Sequence, residues 1–215
     1  MSKIAKIIFF AVIIKPLVIL GLGLNIRGRK NLPLKGPAVI AANHNSHLDT
    51  MVLMSLYPLS KINRVRPVAA ADYFLANKLI TWISLNVIGI IPLDRSGNTT
   101  REELFDECHT ALDNGQILLL FPEGSRGLPE EMGRVKKGLY HLVKDRQDTR
   151  VTPVVLHGLG LALPRGEALL VPFNCDVIID APMETCESSD DFVANIQQRY
   201  NSLFELCITK NNEEL

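Results

Sequence analysis

Two residues of this chain are spaced for proton transfer. His44 and Asp49 sit in the run Asn43-His44-Asn45-Ser46-His47-Leu48-Asp49. A histidine with a carboxylate five positions on can form a general base held by an orienting acid. The acid accepts a hydrogen bond from one ring nitrogen, which sets the tautomer and leaves the other to take a proton. The apolar residues 37–42 before the run read as a buried strand. The polar cluster therefore falls at a strand end, where α/β folds build their sites. A His–Asp pair at this spacing also arises by chance, with the histidine in a structural role. His47 adds a rival, in which His44, His47 and Asp49 ligate zinc. His109, His141 and His157 are scattered and no Cys-x-x-Cys occurs, so no metal is expected.

Three further segments follow in order. Gly89-Ile90-Ile91-Pro92-Leu93-Asp94-Arg95 ends an apolar stretch on an arginine. Phe121-Pro122-Glu123-Gly124-Ser125-Arg126 follows a buried-strand run at 117–121. Residues 151–156 form another apolar strand with Pro153 inside it. Together the four blocks resemble the glycerolipid acyltransferase family, whose best-known members are 1-acylglycerol-3-phosphate acyltransferases. The family's Asn-His-x-x-x-x-Asp matches Asn43, His44 and Asp49, and its Phe-Pro-Glu-Gly-Thr-Arg matches with Ser125 for Thr. The likeness spans residues 25–182, and four ordered blocks are far more specific than any one.

The resemblance implies an enzyme that moves a fatty acyl group from acyl-CoA or acyl-carrier protein to the free hydroxyl of a lysolipid. Lysophosphatidate is the commonest acceptor in the family and phosphatidate its product. No cofactor beyond the acyl donor is implied. His44 is then the base and Asp49 its orienter. Arg95 and Arg126 offer guanidinium forks to the acceptor phosphate. Gly124 allows close backbone approach beside Ser125. Glu123 is expected to orient Arg126 or bond a glycerol hydroxyl. Lys137, in the stretch Lys136-Lys137-Gly138, is expected to reach acceptor or donor phosphates, with Arg165 a weaker candidate. Acyl transfer to another lysolipid or to glycerol 3-phosphate stands as an alternative. So does a non-catalytic, membrane-bound lipid-binding protein.

These residues need a scaffold. The chain has 215 residues, 47% hydrophobic and 21% charged, enough for one globular α/β domain. Strands are expected at 24–28, 38–42, 65–71, 87–93, 117–121, 151–156 and 168–179. Helices are expected at 49–56, 75–85, 99–114, 134–144 and 188–207. This alternation means a mostly parallel mixed sheet flanked by helices, with some antiparallel pairing among the late strands. Phe74, Leu75, Leu79, Ile80, Trp82 and Ile83 suit an acyl groove, a membrane contact or a core helix.

The N-terminal segment is different. Residues 7–24 are apolar apart from Lys15, with Pro16 beside it. The segment is borderline for a span, and a central lysine is costly there. A kinked membrane-associated helix fits better, with Lys3, Lys6, Arg27, Arg29 and Lys30 at the headgroups. A single span is the second reading and a cleaved signal the third. Residues 1–24 are thus taken as a membrane-anchoring helical segment and 25–215 as the acyltransferase domain. Residues 1–48 hold seven Lys/Arg and no acid although the net charge is zero, which suits an anionic bilayer. Nucleic acid is not expected, because aromatic stacking residues do not accompany the basic ones. The four cysteines read as reduced thiols, so the protein is expected on the cytoplasmic face of a membrane, the inner one if bacterial.

Overall fold

The computed structural model describes residues 3–73, 77–94, 100–127, 131–162 and 173–212. It opens with α1 (Lys3–Phe9) and α2 (Lys15–Gly21), which run on as one helix through a π turn at Phe10–Ile14. Then come β1 (Leu22–Arg27), β2 (Ala38–Ala42), α3 (Leu48–Ser55) and β3 (Val65–Ala70). Next are α4 (Lys78–Trp82), prolonged by a π turn to Ile88, β4 (Ile91–Leu93), α5 (Arg101–Asp113) and β5 (Ile117–Leu120). The chain closes with α6 (Gly138–Val143), β6 (Arg150–His157), α7 (Leu159–Ala162), β7 (Phe173–Ile179) and α8 (Ser189–Phe204).

The seven strands form one sheet in the order β1-β7-β6-β2-β5-β3-β4. β2 pairs in parallel with β5 and β6, and β6 pairs antiparallel with β7. β2 is buried from end to end, so its sequence is continuously apolar rather than alternating. Its side chains still divide. Ile40 faces a core with Phe10, Ile14, Val18 and the α3 residues Val52 and Leu53. Val39 and Ala41 face a second core with Leu112, Leu139 and Phe192 from α5, α6 and α8. The result is three layers with the sheet in the middle.

Local chemistry sets the helix boundaries. Thr100 and Glu103 close a reciprocal capping box on α5, and Ser188 Oγ accepts from the Asp191 N–H on α8. Gly89, at φ 77°, ends the helical stretch that begins with α4, and its N–H donates to Ser84 O. Val87 and Ile88 therefore belong to that helical stretch, and β4 starts only at Ile91, not at 87. Likewise, α6 begins at Gly138 rather than 134, because the Lys136 N–H is engaged with Pro122 O.

The N-terminal helix departs from expectation in where it ends and in where Lys6 sits, while at Pro16 it continues. Pro16 does not break it. The Lys15 N–H bonds Phe10 O, and this wider turn removes the clash a proline ring makes in a regular helix. The helix ends at Gly21, so residues 22–24 open β1 instead of completing an anchor. Lys6 is not at a headgroup position: it is fully buried and donates to Val65 O at 2.7 Å. Lys15 donates to Ser55 O at 2.6 Å and Arg29 to Leu56 O, so both satisfy carbonyls at the α3 C-terminus. Phe10, Ile14 and Val18 lock one stripe into the core, while Ile4, Ile8, Val12, Ile19 and Leu20 stand exposed on the other side.

Candidate active site

β2 leads through α3 on one face of the sheet to β3, and β5 leads through α6 on the other face to β6. Neighbouring strands whose connections leave toward opposite faces open a crevice at their carboxyl ends. The His44 loop follows β2 and the Phe121–Gly127 loop follows β5, so both predicted blocks meet at that crevice.

Asp49 lies in the first turn of α3, where a carboxylate is favoured by the helix dipole. Its Oδ2 accepts from His44 Nδ1 at 2.8 Å, from the Asn45 N–H at 2.8 Å and from the Ser46 N–H at 2.9 Å. The same oxygen thus folds the loop and holds the ring. Phe121 stacks on the imidazole with centroids 4.0 Å apart and planes 16° from parallel. With Nδ1 committed to the acid, Nε2 of His44 is the nitrogen left to take a proton. The His44 side chain is 20% exposed, enough to meet a substrate and little enough to stay oriented.

Three ties bind the two loops. Gly127 N–H donates to His44 O at 3.0 Å. His44 N–H donates to Glu123 Oε1 at 3.2 Å. Arg126 Nη1 donates to His47 Nε2, which requires that nitrogen to be an acceptor and puts the His47 proton on Nδ1. Asn43, fully buried at the end of β2, extends the ladder to β6. Its amide donates to Leu156 O and accepts from the Leu156 N–H. The sequence carried a signal for this role, a polar residue directly after a buried strand.

Glu123 does not orient Arg126. It is 4% exposed and turned inward beneath the His44 loop. Burial pushes its carboxyl up to about 7; the His44 and Gly133 N–H groups oppose the shift and the Asp49 charge adds to it. Gly124, Ser125 and Arg126 line a cleft of about 580 Å³ together with His44 and His47. The deeper wall is apolar, with Met51, Val68, Ile88 and Ile90. Ile80 also lines the cleft while half exposed, whereas Leu79 and Trp82, at 66% and 57% exposure, do not line it. Ile83 packs on the core.

Neither Lys136 nor Lys137 lines the cleft itself, and Lys137 pairs with Asp190 at the start of α8 at 2.8 Å. Its neighbour Lys136 is the lysine beside the loop. A Cβ at Gly124 would stand 3.0 Å from Lys136 Nζ. Residue types alone offer no means of choosing between the two. Arg95, Phe74, Leu75 and Arg165 lie outside the described residues. The zinc grouping does not form. Among the described residues no three His, Cys, Asp or Glu side chains gather as a metal site would need.

The chain is similar to several known proteins. A family model described as Acyltransferase matches residues 23–157. The chloroplastic 1-acyl-sn-glycerol-3-phosphate acyltransferase LPAT1 of Arabidopsis thaliana is 32% identical over 162 residues, covering 74% of this chain and 43% of that protein. The human 1-acyl-sn-glycerol-3-phosphate acyltransferase alpha is 26% identical over 182 residues, covering 83% of this chain and 61% of its own. The chain thus spans about half the length of these curated relatives. The 1-acyl-sn-glycerophosphate acyltransferase PlsC of Thermotoga maritima shares the fold, with a TM-score of 0.70 at 18% identity over 96% of this chain and 80% of that one. By the match over residues 23–157, the chain belongs to the acyltransferase family.

Proposed function

We propose that this protein transfers a fatty acyl group from acyl-CoA or acyl-carrier protein to the free hydroxyl of lysophosphatidate, giving phosphatidate. The observation that carries the reading is the His44 Nδ1–Asp49 Oδ2 hydrogen bond of 2.8 Å beside a mostly apolar cleft. His44 Nε2 takes the hydroxyl proton as the oxygen attacks the thioester carbonyl. The tetrahedral intermediate collapses, the C–S bond breaks, and the thiolate leaves with the proton returned from His44. A positioned base of this kind contributes roughly 10²–10⁴-fold. Arg126 and Arg95 hold the acceptor phosphate, and the wall of Met51, Ile80, Ile88 and Ile90 takes an acyl chain. No resident cofactor is needed, because the thioester is already activated. The names of the relatives, all acyltransferases acting on 1-acylglycerol 3-phosphate, support this choice of acceptor.

The same reading places the protein on a bilayer. The helix Lys3–Gly21 has a mean hydropathy of 2.4 and shows its outer face bare, while its inner stripe is core. Such a helix lies along a membrane with the domain beneath it, on the cytoplasmic side.

The test is thiol release from palmitoyl-CoA by detergent-purified protein with lysophosphatidate, beside His44→Ala. Release that needs lysophosphatidate and vanishes in the variant supports the proposal. Release that persists in the variant removes His44 as the base. No release with CoA or carrier-protein donors, over a panel of lysolipids, overturns the acyltransfer reading. Complete release from membranes by alkaline carbonate would overturn the embedding.

A further inference from the structure

We propose that Lys136, not Lys137, is a phosphate-binding residue of the cleft and helps select a phosphate-bearing substrate. The inference deepens the acyltransferase reading and rests on it for the identity of the ligand. Lys136 is pinned in place by its backbone, whose N–H donates to Pro122 O at 2.9 Å within the Phe121–Gly127 loop. Next to it Val135 is buried in the core with Leu139, so the attachment is rigid on both sides. From that footing the side chain crosses Gly124. A Cβ there would meet Nζ at 3.0 Å and Cδ at 3.4 Å. Gly124 also holds φ 78°, a conformation L side chains rarely adopt. One glycine thus gives the loop its turn and leaves the lysine its path.

The charge arithmetic separates the two lysines. Lys137 is matched by Asp190 at 2.8 Å. Lys136 makes no ion pair with any described residue, although its ammonium is exposed beside a loop that contains Arg126. An ammonium with no ion pair among the described residues, set beside the cleft-lining Gly124, and the Arg126 guanidinium in the cleft wall form a complementary pair for a phosphate dianion. The arginine supplies a planar fork and the lysine a mobile point charge. Glu123 does not spoil the site, because it is turned inward under His44.

The phosphate could be the acceptor's or the donor's, and the experiment separates them. Lysophosphatidate and palmitoyl-CoA are each titrated against detergent-purified wild type, Lys136→Met, Lys136→Arg and Lys137→Met, with monoacylglycerol as the ligand lacking phosphate. Turnover is followed in parallel. Lys136→Met is expected to weaken binding roughly tenfold for the phosphate-bearing ligand and leave monoacylglycerol unchanged, with Lys136→Arg restoring most of the loss. Loss with lysophosphatidate assigns the acceptor's phosphate, and loss with palmitoyl-CoA the donor's. Unchanged binding of both ligands overturns the inference, as does a loss in Lys137→Met at least as large. Because binding is read directly, a wild type that binds lysophosphatidate without turning it over counts against the acyltransfer reading alone. Turnover with unaltered Lys136→Met binding counts against Lys136 alone.

Discussion

The carboxyl ends of two adjacent strands each carry a histidine linked to an aspartate, yet they are built for different ends. After β2, His44 bonds Asp49 directly, is 20% exposed and borders the cleft. At the end of β6, His157 is 1% exposed, and its Nδ1 meets Thr209 Oγ1 at 2.5 Å. Thr209 in turn donates its hydroxyl and its N–H to Asp176 Oδ2, while Asn25 donates to Oδ1. That chain fastens the turn after α8 to β1, β6 and β7. In both clusters hydrogen bonds tie the histidine to the acid, directly in the first and through Thr209 in the second. Only the first leaves a ring nitrogen beside a space a substrate can fill. A histidine with an acid is therefore not itself an active-site signature, and access distinguishes the two.

Mutation should break the comparison in opposite directions. The largest effect expected is in His44→Ala, which should lower kcat/KM on the order of 10³-fold while the melting temperature barely moves. His157→Ala should do the reverse, keeping turnover while losing about 2 kcal/mol of stability in urea unfolding. If His157→Ala abolishes turnover in folded protein, the division between the clusters is wrong. Asp49→Asn should cost roughly 10²-fold in kcat by disturbing the tautomer, with a smaller change in KM.

Two carboxyls sharpen the contrast through pH. Glu123 is raised from 4.5 to about 7, so the folded protein holds its proton longer than the unfolded chain. Wild-type stability is therefore lost as pH rises from 4.5 to about 7 and is level above that. Glu123→Gln removes this loss and should gain on wild type by on the order of 1–3 kcal/mol between pH 5 and pH 8, read by urea unfolding. Asp176 has the opposite sign. Burial alone would raise it, but the bonds from Thr209 and Asn25 outweigh that and hold it below 3.8. Its contribution is present above the ordinary value and is lost as pH falls through the lowered one. Thr209→Val should thus cost about 1 kcal/mol at pH 7, the smallest effect of the series, and the gap to wild type should narrow toward pH 3. A gap that widens in acid would show that the hydroxyl matters for some reason other than Asp176.

Much of this was legible before folding. The α/β class followed from short apolar runs alternating with capped amphipathic stretches, since burial on both faces forces continuous apolar strands such as Ala38–Ala42. The His44–Asp49 pairing was legible because it is local: five residues bring both side chains to one loop and the first turn of α3. Ends of elements were less so. Val87 and Ile88 read as strand because β-branched apolar residues fit either state, and only the turn at Gly89 settled them as helix.

What tertiary structure alone decided concerns long-range pairing. Glu123 reads as a charged ligand for Arg126, yet the meeting of the β2 and β5 ends turns it under His44, 79 positions away in the chain. Lys6 and Lys15 read as membrane charges, yet they close carbonyls of β3 and α3. Lys136 and Lys137 are equivalent as letters, and only the approach of α8 gives one of them Asp190. Sequence determines which groups are present and which local periods they follow. The fate of a charge depends on the partner that folding brings to it, because a buried charge differs from a solvated one by several kcal/mol, and that partner is set by the whole chain.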